Sequence, residues 1–327
     1  MRRAKLVLLC GLAALATASC GRAPPPRPAE SAPAEPHWED VFESMPELLV
    51  VVRARAARQD RVYGPLVRRA FELGREQSAT VASTRVLDAM GDADEVVVGV
   101  RPETGDRPGE LVIVARGVPA DIDPGKLVDA EGRESWTPGP VGAVRELVRE
   151  RDDQGHAVAT SLFELPGRTW VIAQGDARAR AREAFAHPFH RPAMTLDPEA
   201  VAIVRIDGPS LVRHVRALQD LGGLAAVGHH LQAVTFVLPP GAERTVRATF
   251  AYAGDDDAAL ADVAMREAVG AAGRSASKGA AWLSWLASAT VERGPKTVVL
   301  RAPVPPQLID GLLHAGSAPL EGDLPVR

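Results

Sequence analysis

Apolar positions in this chain fall into short blocks, and the blocks alternate between a period of two and a period near 3.6. After Pro46-Glu47, the run LLVVVRARA (48–56) reads as a strand with a continuous apolar stretch. Residues 65–90 carry a helical pattern opened by Pro65, which suits a first turn. Gly74 and Ser78–Thr84 weaken its middle, so it reads as one helix or two. EVVVGVR (95–101) and ELVIVARG (110–117) alternate across the charged turn PETGDRPG and predict an antiparallel hairpin. Asp123-Pro124-Gly125 suits the start of a short helical turn toward Leu127. Residues 129–157 are polar and turn-rich, with WTPGPVG inside. ATSLFEL (159–165) and RTWVIAQ (168–174) form a second predicted hairpin through Pro166-Gly167. GDARARAREAF (175–185) reads as a helix with Asp176 at its cap, and HPFHRPAM (187–194) breaks the pattern with two prolines.

The same order then recurs. AVAIVRI (200–206) predicts a strand and SLVRHVRALQDL (210–221) an amphipathic helix. LQAVTFVL (231–238) and TVRATFAY (245–252) make a hairpin around PPGAER. DDDAALADVAMREAV (255–269) is a helix with acids at its start, and WLSWLAS (282–288) is apolar. ATVERGPKTVVLRA (289–302) is a hairpin, and Val304–Leu313 is a short helix. Three landmarks match in order: PELLVVVRA with PEAVAIVRI, YGPLVRR with DGPSLVRH, and SLFELPGRTWVIAQ with ATVERGPKTVVLRA. This is the signature of an internal duplication. The fold class is α+β: two similar halves, 46–195 and 196–315, each a mainly antiparallel sheet of about five strands covered by helices. Residues 316–327 are a tail. If the halves pack side by side, the seam between them is a natural ligand site.

The first nineteen residues follow the secretory layout. Arg2, Arg3 and Lys5 precede the short apolar run Leu6–Ala18, and small residues lead into Cys20. Thr17-Ala18-Ser19-Cys20 resembles the lipobox of bacterial lipoproteins, with Thr17 where Leu is usual. That resemblance implies cleavage before Cys20 and lipidation of Cys20. Residues 20–45 then form a Pro/Ala-rich tether without apolar period. Cys10 lies within the signal, so Cys20 is the one cysteine of the mature chain and no disulfide is expected. Residues 46–315 resemble, in layout, two-repeat α+β envelope lipoproteins of Gram-negative bacteria whose function is unknown. The resemblance implies a periplasm-facing body on a lipid anchor, and it implies no chemistry. Gly21, rather than Asp, after Cys20 points to the outer membrane.

The formal charge of −4 becomes −7 once the three basic residues of the signal are removed, and the remaining bases are interspersed with acids. That balance argues against a nucleic-acid partner. Aromatic residues are only 4% of the chain, so no stacking surface stands out. The expected partners are the membrane, through the anchor, and an envelope protein or an apolar ligand.

No constellation specifies a reaction. His229-His230, read as neighbours on a strand, point to opposite faces and are not expected to share a metal ion. His187 and His190, separated by two residues in a proline-broken segment, are a weak spacing match that could in principle assemble a site with His214, but capping, surface and core-edge roles are the simpler reading. Asp255, Asp256 and Asp257 read as helix caps rather than a calcium loop, as do Asp121 and Asp123 beside Pro124. There is no GxSxG elbow. Ser161 stands at a strand start, Ser210 with His214 reads as a cap or surface pair, and Ser275–Lys278 lacks companion motifs. No catalytic residue, metal or cofactor is therefore assigned. Trp282 and Trp285 share a helical face and are the candidate interaction residues, with core packing as the simpler role. The sequence reads as a lipid-anchored structural or binding module. The alternatives are an envelope hydrolase with a dispersed site and an apolar-ligand carrier.

Overall fold

The computed structural model describes residues 36–42, 44–61, 63–65, 68, 84–103, 109–127, 136–151, 157–188, 197, 199–214, 225–240, 245–275 and 287–303. The chain divides between Glu35 and Pro36, and all described residues belong to the unit Pro36–Arg327.

The first half supplies β1 (Leu48–Val52), β2 (Glu95–Arg101), β3 (Glu110–Arg116), β4 (Thr137–Pro138), β5 (Arg145–Arg151), β6 (Ala157–Leu165) and β7 (Thr169–Gln174). The second half supplies β8 (Ala202–Asp207), β9 (Leu231–Leu238), β10 (Thr245–Tyr252), β11 (Thr290–Gly294) and β12 (Thr297–Pro303). Between them run α1 (Ala54–Gln59), α2 (Thr84–Gly91), α3 (Ala177–Ala186), α4 (Gly208–His214), α5 (Ala225–Gly228) and α6 (Asp255–Ser275). All twelve strands join one sheet, in the order β11-β12-β10-β9-β8-β1-β2-β3-β7-β6-β5-β4. Each neighbouring pair is antiparallel.

The fold is α+β and repeated. Read outward from the centre, β1-β2-β3-β7-β6 and β8-β9-β10-β12-β11 have the same connection order. The first half carries two further strands, β5 and β4, at its outer edge, so among the described residues the halves hold seven and five strands. The halves meet strand to strand. β1 pairs with β8 from Leu48↔Ile206 to Val52↔Ala202. At one end of this ladder the Arg53 N–H donates to the Val201 carbonyl at 2.9 Å, and at the other the Asp207 N–H donates to Glu47 at 2.7 Å. The seam is thus a closed backbone ladder, where the sequence had suggested a binding site between side-by-side halves.

Alternation along the strands sends two sets of side chains to two faces. On one face of the first half, Val41 and Phe42 of the turn Trp38–Val41 and its flank, with Phe185 of α3, cover Leu49, Val51, Val97, Val114 and Val171. On the other face, Val86 and Met90 of α2, with Trp136, cover Val96, Leu162, Trp170 and Ile172. In the second half α6 lays Ala258, Ala261 and Met265 on Val234, Tyr252, Val291 and Val298. Their i, i+3, i+7 spacing makes one helical stripe of mostly small residues, which lets the helix lie close to the sheet.

Three local expectations change. The run LLVVVRARA leaves the sheet at Val52, and Ala54–Gln59 turns helical, burying Ala54 and Ala57. Beyond the β-branched valines the segment is alanine and arginine, both good helix formers. The polar stretch 129–157 contains β5, a full strand of seven residues. Its inward side chains include Glu146, which is neutralised by Arg182 and so is tolerated where an apolar residue is usual. Asp176 precedes α3, but its side chain makes no capping hydrogen bond.

Candidate functional site

A cleft of about 630 Å³ opens at one end of the first half of the sheet. Five strand ends converge there: β1 and β3 finish, β2 and β7 begin, and β6 turns into β7 through Pro166-Gly167-Arg168. Pro36, His37 and Trp38 form one rim, where the described fold begins.

Four guanidinium groups line the cleft, from Arg53, Arg55, Arg116 and Arg168, against the carboxylates of Asp94 and Glu95. Arg53 is fixed by donating to the carbonyls of Ala200 and Asp197, both at 2.8 Å, and its Nε lies 3.7 Å from Glu95. Arg116 donates to the other Glu95 oxygen at 2.7 Å. Arg55 pairs with Asp94 at 2.6 Å. Arg168 is exposed and occupies the left-handed region at φ 58°, directly after Gly167 at φ 74°. Two successive residues of positive φ are what a tight primed hairpin turn demands. Among the described residues Arg168 has no carboxylate partner. The cleft therefore carries an excess of two positive charges and presents planar, bidentate donors suited to carboxylate or phosphate oxygens.

Sequence reasoning did not single out these arginines. The available signals were the Arg-Ala-Arg step directly after β1 and the two Arg/Gly turn pairs, Arg116-Gly117 and Gly167-Arg168. Nothing in the linear order says that these three places meet.

The serines considered from sequence are held in carboxylate–guanidinium networks. The Ser161 hydroxyl donates to Glu146 at 2.6 Å and accepts from Arg178 at 3.0 Å. Arg182 closes on Glu146 with Nε and a terminal nitrogen, the latter at 2.7 Å. That contact holds the Arg182 guanidinium above its usual pKa range. The Ser210 hydroxyl lies against Glu47 and Asp207 and accepts from Arg213 at 2.8 Å. Both serines are tied into these networks, Ser161 within β6 and Ser210 in the first turn of α4, directly after β8. The side chain of His214 lies outside the described residues, as do His190 and Lys278. His187 is exposed at the C-cap of α3. Cys20, Trp282 and Trp285 also lie outside the described residues.

Asp123 caps as expected, accepting from the Gly125 N–H at 2.9 Å, and Asp121 is exposed nearby. The capping bond, reinforced by Arg145, keeps the Asp123 carboxyl below the usual carboxylate range. The acids opening α6 reach across the chain instead. Asp255 accepts from the Lys296 N–H at 2.7 Å. Asp257 meets Nδ1 of His229 at 3.0 Å and Nδ1 of His230 at 3.1 Å, both at the same oxygen. The histidines are therefore not neighbours on a strand. They occupy the turn between α5 and β9, and His230 sits at φ 48°. That left-handed residue cancels the alternation, and the two rings come within 4.0 Å, centroid to centroid, on one side of the turn.

No protein-family model matches this sequence. No curated protein matches it. Among solved structures it is similar to crystal form I of TP0453, with 10% sequence identity and a TM-score of 0.44 over 88% of this chain and 98% of that one.

Proposed function

We propose that this protein is a lipid-anchored binding module of the bacterial envelope, held through Cys20 to the outer membrane and facing the periplasm, and that the arginine-lined cleft is its recognition surface. The cleft carries the proposal. It gathers four guanidinium groups from three strand ends around an open space of about 630 Å³. Its lining is charged, so the ligand is acidic rather than apolar: a carboxylate- or phosphate-bearing segment of an envelope partner. The serines that a hydrolase would draw on are committed to structural ion pairs, which favours binding over catalysis.

Two experiments test this reading. Metabolic labelling with a palmitate analogue marks the wild type and not Cys20→Ser; equal labelling removes the anchor. A fluorescein-labelled Asp/Glu-rich peptide binds the purified full chain at low salt, and binding weakens as salt screens the charges. Arg168→Glu and Arg55→Glu each weaken it at least about tenfold, because each reverses a charge facing the ligand. Unchanged affinity in both removes the cleft as the recognition surface.

A further inference from the structure

We infer that His229, His230 and Asp257 form a binding site for a borderline divalent transition metal, represented by Zn²⁺. Two imidazole nitrogens and a carboxylate oxygen, one from each residue, lie within 4.8 Å of one another. The two nitrogens are 3.0 and 3.1 Å from the same Asp257 oxygen. Around a tetrahedral ion with bonds near 2.0–2.1 Å, adjacent ligand atoms sit about 3.3–3.4 Å apart. The observed separations need to open by only a few tenths of an ångström. The ion would replace the protons now shared between the rings and the carboxylate.

The frame that holds these ligands is ordered by contacts independent of them. The Tyr252 hydroxyl, buried beneath the turn, donates to the Val227 carbonyl at 3.2 Å. The Ala253 N–H donates to the His230 carbonyl at 3.2 Å, and the His229 N–H to Ala226 at 3.4 Å. The Tyr252 N–H donates to Lys296, whose own N–H donates to Asp255. The end of α5, the start of β9, the end of β10 and the start of α6 are thus clamped around the cluster. A preorganised site loses little freedom when an ion binds.

The donor set selects the class of ion. Two imidazoles and one carboxylate suit Zn²⁺, Cu²⁺ or Ni²⁺, while Ca²⁺ and Mg²⁺ prefer all-oxygen shells. Both histidine side chains are more than half exposed, so water has access to a fourth position. Asp255 and Asp256 add negative charge nearby, offsetting the positive end of the α6 dipole, and Lys296 is the neighbouring cation.

The test is Zn²⁺ binding to the full chain, purified in detergent without a histidine tag and titrated against a chromophoric chelator. One ion per chain is expected. His229→Ala, His230→Ala and Asp257→Asn should each weaken binding at least about tenfold, in line with loss of a ligand. His187→Ala, at an exposed helix end outside the cluster, should leave it unchanged. Co²⁺ in place of Zn²⁺ should give a visible absorption band that disappears in Asp257→Asn. Far-UV circular dichroism confirms that the variants stay folded. No binding by the wild type, or wild-type affinity in all three cluster variants, overturns the inference.

Discussion

The two repeats place different chemistry at the same position. In the first, the ends of β1 and β3 and the starts of β2 and β7 surround Arg55, Asp94 and Arg168. In the second, the ends of β8 and β10 and the starts of β9 and β12 adjoin His229, His230, Asp257 and Lys296. Even the turns correspond: Arg168 and Lys296 both follow a turn glycine or proline and both have positive φ, 58° and 51°. The framework is common, while the side chains at its rim differ, guanidinium on one side and imidazole on the other. These groups stand where strands end and loops begin, which is where a sheet exposes side chains without disturbing its core.

A second contrast lies in how the sheet is covered. Between β10 and β11 the second half inserts the 21-residue helix α6. In the corresponding place between β3 and β6, the first half has the turn at Pro124–Lys126, Trp136 and the β4–β5 hairpin. The largest expected effects test this substitution. Trp136→Ala, at a site only 1% exposed, should cost about 3–5 kcal/mol, and Met265→Ala on the buried face of α6 about 2–3 kcal/mol, by urea unfolding. If Trp136→Ala is nearly neutral, the loop is not the first half's replacement for the helix.

Glu146 sharpens the same contrast, since its ion pair with Arg182 ties the added hairpin to α3. Glu146→Ala should cost about 2–3 kcal/mol, reduced from the cost of a fully buried pair because Arg182 is 40% exposed. The Glu146→Ala/Arg182→Ala double variant should recover part of that loss. Strict additivity would show that the pair is not coupled.

A smaller effect is expected at Gly117. It has φ 71°, and a Cβ there would collide with the Asp94 side chain. Gly117→Ala should cost about 1–2 kcal/mol and weaken acidic-peptide binding by moving Asp94, the partner of Arg55. Destabilisation without a change in binding would separate this turn from the cleft.

The smallest effect is in acid. Asp123 in the first half and Asp257 in the second both have carboxyls held below the ordinary carboxylate range, Asp123 by the Gly125 N–H and Arg145, Asp257 by the two imidazoles. A depressed carboxyl contributes stability that is complete above its unfolded value and is lost as pH falls through its folded value. Stability should therefore drop below about pH 4, and Asp123→Asn or Asp257→Asn should each flatten that limb, measured by thermal unfolding across pH. An unchanged acid limb in both variants would show that neither interaction is linked to folding.

Much of the architecture was legible because it rests on local alternation. EVVVGVR, ELVIVARG, LQAVTFVL and TVRATFAY all became strands within the residues read from sequence. The repeat was legible because hairpins recur in order. β5 was not, because RELVRER hides its buried face behind Glu146, whose neutralising partner stands 36 residues later. Nor were the two rim sites. The cleft needs Arg53, Arg116 and Arg168 brought together by three separate strand pairings, and the histidine pair needs one residue to adopt positive φ. Spacing in a sequence encodes neither.

The shared sheet has one more consequence, at its two outer margins. An open antiparallel sheet can be extended by a neighbouring copy that pairs with its free edge. One margin is β4, only two residues long and ending in Pro138, which has no N–H to offer an incoming strand. The other is β11, whose Glu292 and Arg293 are exposed charges. Among the described residues both margins are poor templates, which works against edge-to-edge pairing of copies.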